Sequence, residues 1–176
     1  GYLAYGFMDA KFKYGIEGKY LFRGKDRWVL SVGTRKDIEQ LGVSLTTSNE
    51  VLERSFATTS IFTRGDNSKL SNIDLTNAKV SFEPIKNVDL RIGTTFKTLE
   101  SADPEKFNVD YFDENGDIQS SIEQVDVSFG IQYTPNRKSY GFGVERSISN
   151  RGRFPTFFFS YTRGIKGVFN SDFDYH

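Results

Sequence analysis

Hydrophobic and polar residues alternate along most of this chain, and this alternation constrains the fold more than any other feature of the sequence. Between Phe12 and Phe22 the even positions are aromatic, aliphatic or glycine, whereas the odd positions are mostly charged or small. Successive side chains of a β-strand point to opposite faces of a sheet, so a period of two predicts a strand with one apolar and one polar face. Residues Val125 to Tyr133 show the same alternation most clearly.

Segments of this kind recur along the chain and predict an all-β, antiparallel fold. They span about residues 1–7, 11–23, 27–37, 71–83, 88–100, 121–134, 139–149 and 154–165. The alternation changes phase between Leu75 and Val80, which predicts a β-bulge near Asn77. Asn115-Gly116 predicts a hairpin turn between 109–112 and 117–119. Residues 47–56 predict a short helix within a loop.

The connections between these segments differ in length in a regular way. Those at 24–26, 85–87 and 135–138 are tight, whereas those at 38–70 and 102–120 are long and polar. In an antiparallel meander, alternate connections lie at opposite ends, so both long loops are expected at one end. Short turns at one end and long loops at the other are typical of outer-membrane barrels.

Strand length favours the same class of protein. Several segments run for about 10 to 13 residues, whereas strands of soluble sheets average roughly 5 to 6. A tilted strand needs about 9 to 11 residues to cross the hydrocarbon of a bilayer. The sequence therefore predicts an antiparallel up-and-down transmembrane β-barrel of about eight visible strands, with the lipid bilayer as its partner.

Aromatic residues flank the tight turns in the apolar phase of the strands. In a membrane barrel such residues form a ring at the interface between lipid and water. Ordinary cross-strand aromatic packing is the alternative interpretation. The predicted membrane-interface aromatics are Phe22, Trp28, Phe82, Tyr133 and Tyr140.

The opposite phase carries charges of both signs, which the barrel interpretation places in the lumen. An arginine or lysine on the lipid face costs about 2–4 kcal/mol at the bilayer midplane, so charge is expected to point inward. The predicted lumen-facing charges are Lys13, Glu17, Lys19, Arg35, Asp89, Arg91, Lys97, Asp126 and Glu145.

Composition argues against several other classes of function. Lysine and arginine together number 23, and so do aspartate and glutamate, so the chain lacks the basic excess that nucleic-acid binding requires. There is no cysteine, and the single histidine is His176, which argues against thiol chemistry, zinc sites and a Ser-His-Asp triad. We expect no enzyme activity, catalytic residue, cofactor or metal.

The two ends of the sequence predict a single domain, 1–176, that is incomplete at both ends. Residues 1–7 are a short strand segment, and Phe173 to His176 begin a further strand after a turn at 166–172. A ninth strand would break the even strand count of bacterial barrels. The chain is therefore expected to be a portion of a larger barrel.

Two stretches of sequence resemble a known family. They are residues 1–9 (GYLAYGFMD), followed by 12–15 (FKYG), and residues 161–176 (YTRGIKGVFNSDFDYH). Together they resemble Bacteroidota outer-membrane proteins that join an N-terminal carboxypeptidase-regulatory-like domain to a C-terminal β-barrel. The resemblance implies an internal part of that barrel, located in the bacterial outer membrane, and it brings no catalytic residues.

The leading hypothesis is a non-enzymatic structural or transport component of the cell envelope, working with other envelope proteins in a larger outer-membrane complex. One alternative is a protein assembly or translocation barrel related to BamA, whose Arg-Gly pair is similar to Arg163-Gly164. The predicted topology puts Arg163 at the tight-turn end, so that role is not transferred. The other alternative is a soluble β-barrel that binds an apolar ligand.

Overall fold

The computed structural model describes residues 1–7, 11–22, 26–40, 70–112, 116–141, 143–144, 146–149, 155–169, 171–172 and 174. This part of the chain is all-β and contains no helix. The strands are β1 (Tyr2–Gly6), β2 (Lys11–Leu21), β3 (Val29–Gln40), β4 (Leu70–Ile85), β5 (Val88–Ser101), β6 (Tyr111–Phe112), β7 (Ile118–Gln119), β8 (Ser121–Tyr133), β9 (Lys138–Tyr140), β10 (Ser147–Ser149) and β11 (Phe157–Gly164).

Seven strands form one antiparallel sheet in the order β1-β2-β3-β4-β5-β8-β11. Each strand pairs with the one before it in this order, so the sheet is a meander, as the sequence predicted. Among the described residues β1 pairs only with β2, and β11 only with β8, so they form an open sheet and not a closed ring. Two small hairpins, β6-β7 and β9-β10, lie outside it.

The sheet has a turn end and a loop end. At the turn end β4 and β5 are joined by a two-residue turn, with Asn87 in the left-handed region at a φ of 72°. Residues 41–69 and 102–120 connect strands at the loop end. The β6-β7 hairpin lies within the second connection, where Tyr111 pairs with Gln119 and Phe112 with Ile118. It confirms the predicted hairpin, and the helix predicted at 47–56 lies outside the described residues.

The prediction of one crossing strand at 139–149 was wrong. This segment forms the β9-β10 hairpin, in which Tyr140 pairs with Ser147, and Gly141 follows with a φ of 102°. Glycine adopts this φ without strain, so the chain leaves the strand direction there. As a result β11 pairs directly with β8 and starts at the turn end. Arg163 therefore lies opposite Val127, well along β11, and not at the tight-turn end where it was predicted.

The β-bulge predicted near Asn77 was also wrong. Strand β4 pairs with β5 in regular register from Ser71 to Phe82, and the irregularity lies between Phe82 and Ile85. Ile73 and Leu75 therefore stay in the polar phase of the sheet. There they are buried with Leu99 and form a small hydrophobic cluster near the loop end. This cluster explains why the sequence changes phase without a bulge.

After β11 the chain turns at residues 166–169, as predicted, and the ninth strand predicted at 173–176 falls largely outside the described residues. The chain leaves the sheet after Gly164 and returns to β8, where the Asp172 amide donates to the Glu123 carbonyl oxygen at 2.9 Å. The Ser171 hydroxyl accepts the Val125 amide at 3.2 Å. Residues 165–172 thus form an excursion from an edge strand. Phe173, Tyr175 and His176 lie outside the described residues.

Candidate functional site

The two faces of the main sheet differ sharply in composition and exposure. By strand register, Trp28, Leu30 and Ile92 and the residues in phase with them lie on one face, which we call the apolar face. Arg35, Arg91 and Asp126 and the residues in phase with them lie on the other, which we call the polar face. The exposed large hydrophobic residues of the apolar face are Leu3, Tyr5, Phe12, Tyr14, Ile16, Tyr20, Phe22, Trp28, Val32, Ile92, Val127, Tyr133, Phe157, Phe159 and Tyr161.

In this sheet the apolar face is exposed, whereas charged residues of the polar face are buried. Ile92, in the middle of β5, is 48% exposed, whereas Arg35 and Asp126 on the polar face are 4% and 7% exposed. Soluble antiparallel sheets normally bury their apolar face and leave the polar face in water. Apolar surface of this extent marks an interaction site for protein, ligand or membrane.

The apolar surface spans most of each long strand. In β5 it runs from Val88 to Phe96, which is nine residues, or about 27 Å at roughly 3.4 Å per residue. Charge returns to this face toward the loop end, where Lys36 lies 3.9 Å from the carboxylate of the opposed Asp74. The face is thus an apolar band with a charged border.

Arg163 is a cation within the apolar band itself. It lies opposite Val127 on the edge strand β11, and its guanidinium is 3.5 Å from the carboxylate of Asp174. The ion pair with Asp174 reduces the free-energy cost of a charge at this position. The excursion 165–172 begins directly after this strand.

Aromatic rings lie along the apolar face at the turn end. The Phe22 amide donates to the Trp28 carbonyl oxygen at 2.8 Å, and Trp28 stacks on Phe82 with ring centroids 4.1 Å apart and planes 6° from parallel. Tyr133 stacks on Phe157 at 6.3 Å. Four of the predicted interface aromatics are therefore at this border of the apolar face, and Phe157 joins them.

Tyr140, the fifth predicted aromatic, lies in the β9-β10 hairpin outside the main sheet. The signal for Phe157 was present in the alternation of Phe157, Phe159 and Tyr161. Its position beside Tyr133 became evident only once β11 was known to pair directly with β8.

Side chains of the polar face contact one another across strands. Tyr2 of β1 donates its hydroxyl hydrogen to the Asp37 carboxylate of β3 at 2.8 Å, and within β2 Lys19 lies 3.6 Å from the carboxylate of Glu17. Eight of the nine charges predicted for the lumen are on this face by register, and Glu145 lies outside the described residues. These eight are Lys13, Glu17, Lys19, Arg35, Asp89, Arg91, Lys97 and Asp126.

A group of arginines and carboxylates occupies the turn end, and we call it the turn-end cluster: Arg27, Glu83, Asp89, Arg91, Arg137 and Arg146. At its centre Arg137 is buried, with its guanidinium 2.7 Å from the Glu83 carboxylate and in contact with the Asp89 carboxylate. Arg91 donates to the side-chain oxygen of Gln132 at 3.0 Å.

Arg27 ties the cluster to the segment after β9. It is in the left-handed region with a φ of 48°, and its guanidinium donates to the carbonyl oxygens of Gly143 at 2.6 Å and Val144 at 2.8 Å. Neither Arg27 nor Arg137 was recognisable as a partner from the sequence pattern, because the contacts of both span long sequence separations.

Electrostatics in the cluster follow from burial and neighbouring charges. Burial lowers the pKa of Arg27, and the positive charge of Arg146 lowers it further. Burial alone would raise the pKa of Glu83, yet the Asn87 amide and the Arg137 guanidinium together hold that pKa below its ordinary value. The lowered pKa keeps the Glu83 carboxylate charged at neutral pH.

Within the described ranges, no group of three or more His, Asp or Glu side chains is arranged to hold a metal ion. No helix in this part of the chain is long and apolar enough to cross a membrane. The arrangement offers two surfaces instead, an exposed apolar band and a positively charged turn-end cluster.

The fold and these surfaces define a large antiparallel β-sheet with an exposed apolar face. The chain belongs to the family of unknown function DUF5686, whose C-terminal domain matches residues 1–176. No curated protein and no solved structure matches the chain.

Proposed function

We propose that this chain is a transmembrane portion of a non-enzymatic β-barrel in a bacterial outer membrane. The apolar face contacts lipid, and the polar face lines the interior. One observation carries this proposal: the apolar face of the sheet is exposed while arginine and aspartate side chains on the other face are buried.

Two physical arguments support it. A nine-residue apolar band suits a tilted strand that crosses the hydrocarbon, which needs about 9 to 11 residues. In lipid every backbone amide and carbonyl group must be paired within protein, so the outer edges of β1 and β11 must pair with each other or with further strands. The proposal therefore includes closure of this sheet into a barrel.

The resemblance of residues 1–15 and 161–176 extends the proposal. It supports a Bacteroidota protein in which a carboxypeptidase-regulatory-like domain precedes the barrel, with a structural or transport role and other envelope proteins as partners. Apart from Asp89 and Arg91, which lie on the polar face of β5, the turn-end cluster lies at the aromatic border of the apolar band and is on this proposal outside the membrane-spanning part.

Trp28 gives a direct test, because it is the single tryptophan of the sequence. It lies at the turn-end border of the apolar band, 41% exposed in the isolated sheet. The chain is refolded into lipid vesicles, and its fluorescence is recorded with lipids brominated either near the headgroup or near the chain end. We expect blue-shifted emission and stronger quenching by the shallow bromines, since an aromatic ring at the interface lies at headgroup level.

The control is Trp28→Phe with Tyr20→Trp, which moves the reporter two residues toward the middle of β2 and β3, where Tyr20 pairs with Leu30. Its quenching should shift toward the deeper bromines. Water-exposed emission with no quenching in either variant contradicts the proposal. Combined with a monodisperse monomer in detergent-free buffer, that result would favour a soluble sheet that binds an apolar ligand.

A further inference from the structure

The turn-end cluster lines a partly open pocket of about 170 Å³. Residues of β4 and β5 line it together with Arg27, Arg137, Ser139 and Arg146, so the lining includes the four arginines and two carboxylates of the cluster. At roughly 30 Å³ per molecule, this volume equals about five or six waters. The pocket therefore has room for a single phosphate or carboxylate group.

Positive charge exceeds negative charge around this pocket. The described lining has four guanidinium groups and two carboxylates. Arg137 contacts both carboxylates, and Arg146 reaches Glu83 only at 3.5 Å. Both carboxylates are thus already engaged by the most buried arginine, which leaves the lining with an excess of positive charge.

Two further observations among the described residues concern the arginines of this lining. The buried Nε of Arg137 has no hydrogen-bond acceptor there. Arg27 and Arg146 repel each other, since the charge of Arg146 lowers the pKa of Arg27 in addition to the effect of burial. A bound anion would reduce this repulsion.

The geometry of the lining favours one class of anion. Guanidinium groups are planar and donate two parallel hydrogen bonds, which match the oxygens of phosphate and carboxylate groups. Ser81 and Ser139 hydroxyls add neutral donors to the wall. Phe82, whose ring stacks on Trp28, also lines the pocket. A dissolved phosphate compound and a lipid headgroup would present the same chemical group to these arginines.

We propose that the turn-end pocket is a binding site for a phosphate group, held chiefly by Arg27, Arg91 and Arg146 while Arg137 is fixed by Glu83 and Asp89. This inference does not depend on the membrane assignment, because it concerns the pocket alone.

The test measures binding to the full chain in an uncharged detergent by isothermal titration calorimetry. The probes are inorganic phosphate and dihexanoyl phosphatidic acid, which present the same chemical group from water and from a lipid. The variant Arg146→Gln removes a partly exposed guanidinium with only a long ion pair, and Arg91→Gln provides a second variant. Arg163→Gln is the matched control, because it removes an arginine that does not line the pocket.

We expect at least one probe to bind, with affinity about ten-fold weaker in each pocket variant, which corresponds to about 1.4 kcal/mol, and unchanged in Arg163→Gln. Binding of both probes assigns the site to phosphate in general, and binding of the lipid alone assigns it to a headgroup. The proposal is overturned if neither probe binds, or if Arg163→Gln weakens binding as much as Arg146→Gln. Circular dichroism confirms that each variant is folded, and the Trp28 measurement is independent of all these outcomes.

Discussion

Gly15 on the polar face has a specific packing role. A Cβ added there would overlap Cε1 of the Tyr2 ring, closer than real Cβ contacts allow. The Tyr2 ring lies across Gly15, and its hydroxyl reaches the Asp37 carboxylate on β3 at 2.8 Å. The absence of a side chain at Gly15 therefore permits a hydrogen bond that links three strands.

We predict that Gly15→Ala destabilises the folded chain by about 1–3 kcal/mol, the usual cost of overpacking. In a Tyr2→Ala background the same substitution should cost much less, because the ring that it would meet is gone. Urea unfolding of the wild type, both single variants and the double variant gives the coupling free energy. Additive effects of the two substitutions would contradict this account of Gly15.

Sequence alternation predicted which face each strand residue occupies, but it did not predict which side chains meet. Asp126 and Arg35 were assigned correctly to the polar phase because period two is a local property of a strand. The ion pairs of Arg137 with Glu83 and Asp89 depend instead on the position of residues 134–140 after β8. No local pattern encodes that position.

At the scale of strands and turns, alternation was misleading between 139 and 149. Tyr140, Phe142 and Val144 alternate with small or charged residues, as a crossing strand would. Gly141 has a positive φ, however, and Arg27 binds the carbonyl oxygens of Gly143 and Val144. A contact from a distant turn thus holds this segment out of the sheet, and a pattern of single residues does not reveal it.

A prediction at the scale of elements concerns the excursion 165–172. Its return to β8 depends on two side chains, since Asp172 Oδ2 accepts the Glu123 amide at 2.7 Å and the Ser171 hydroxyl accepts the Val125 amide at 3.2 Å. The double variant Ser171→Ala, Asp172→Ala should raise the hydrogen-exchange rates of these two amides by at least about ten-fold, because local opening becomes easier. Exchange is measured by mass spectrometry after peptide digestion.

Asp174→Ala is the control for that experiment. It removes an exposed carboxylate that pairs with Arg163 but makes no bond to β8. The amides of Ile131 and Gln132, which pair with β11 and β5, should remain protected in both variants. Faster exchange across the whole of β8 would show that the excursion supports the entire strand and not its start alone.

At the scale of the whole molecule, the exposed apolar face lets us predict how an introduced positive charge affects stability on each side of the sheet. Ile92 and Ser128 are in the middle of neighbouring strands and on opposite faces. In lipid vesicles Ile92→Arg should reduce stability by about 2–4 kcal/mol, whereas Ser128→Arg should have a smaller effect, because only the first puts a cation into hydrocarbon. Folded yield on unheated electrophoresis gels and denaturant titration both measure this difference.

The same two variants are also measured in detergent-free buffer, where an apolar face that meets water would behave differently from one that meets lipid. If the apolar face met water in the native protein, Ile92→Arg would be well tolerated and would improve solubility. Equal losses from Ile92→Arg and Ser128→Arg in vesicles would contradict the assignment of the apolar face to lipid.

The irregularity between Phe82 and Ile85 has a consequence for how this chain can change length in evolution. Elsewhere in the long strands, one inserted or deleted residue would exchange the two faces beyond the change and bring groups such as Arg91 or Asp126 to the apolar side. Two residues shift the pairing by one repeat and keep the faces intact. At the bulge, two residues of β4 already lie opposite one residue of β5. Insertions and deletions of a single codon should therefore survive selection in the loops and at this bulge. Elsewhere in the strands, only insertions and deletions of two codons should survive.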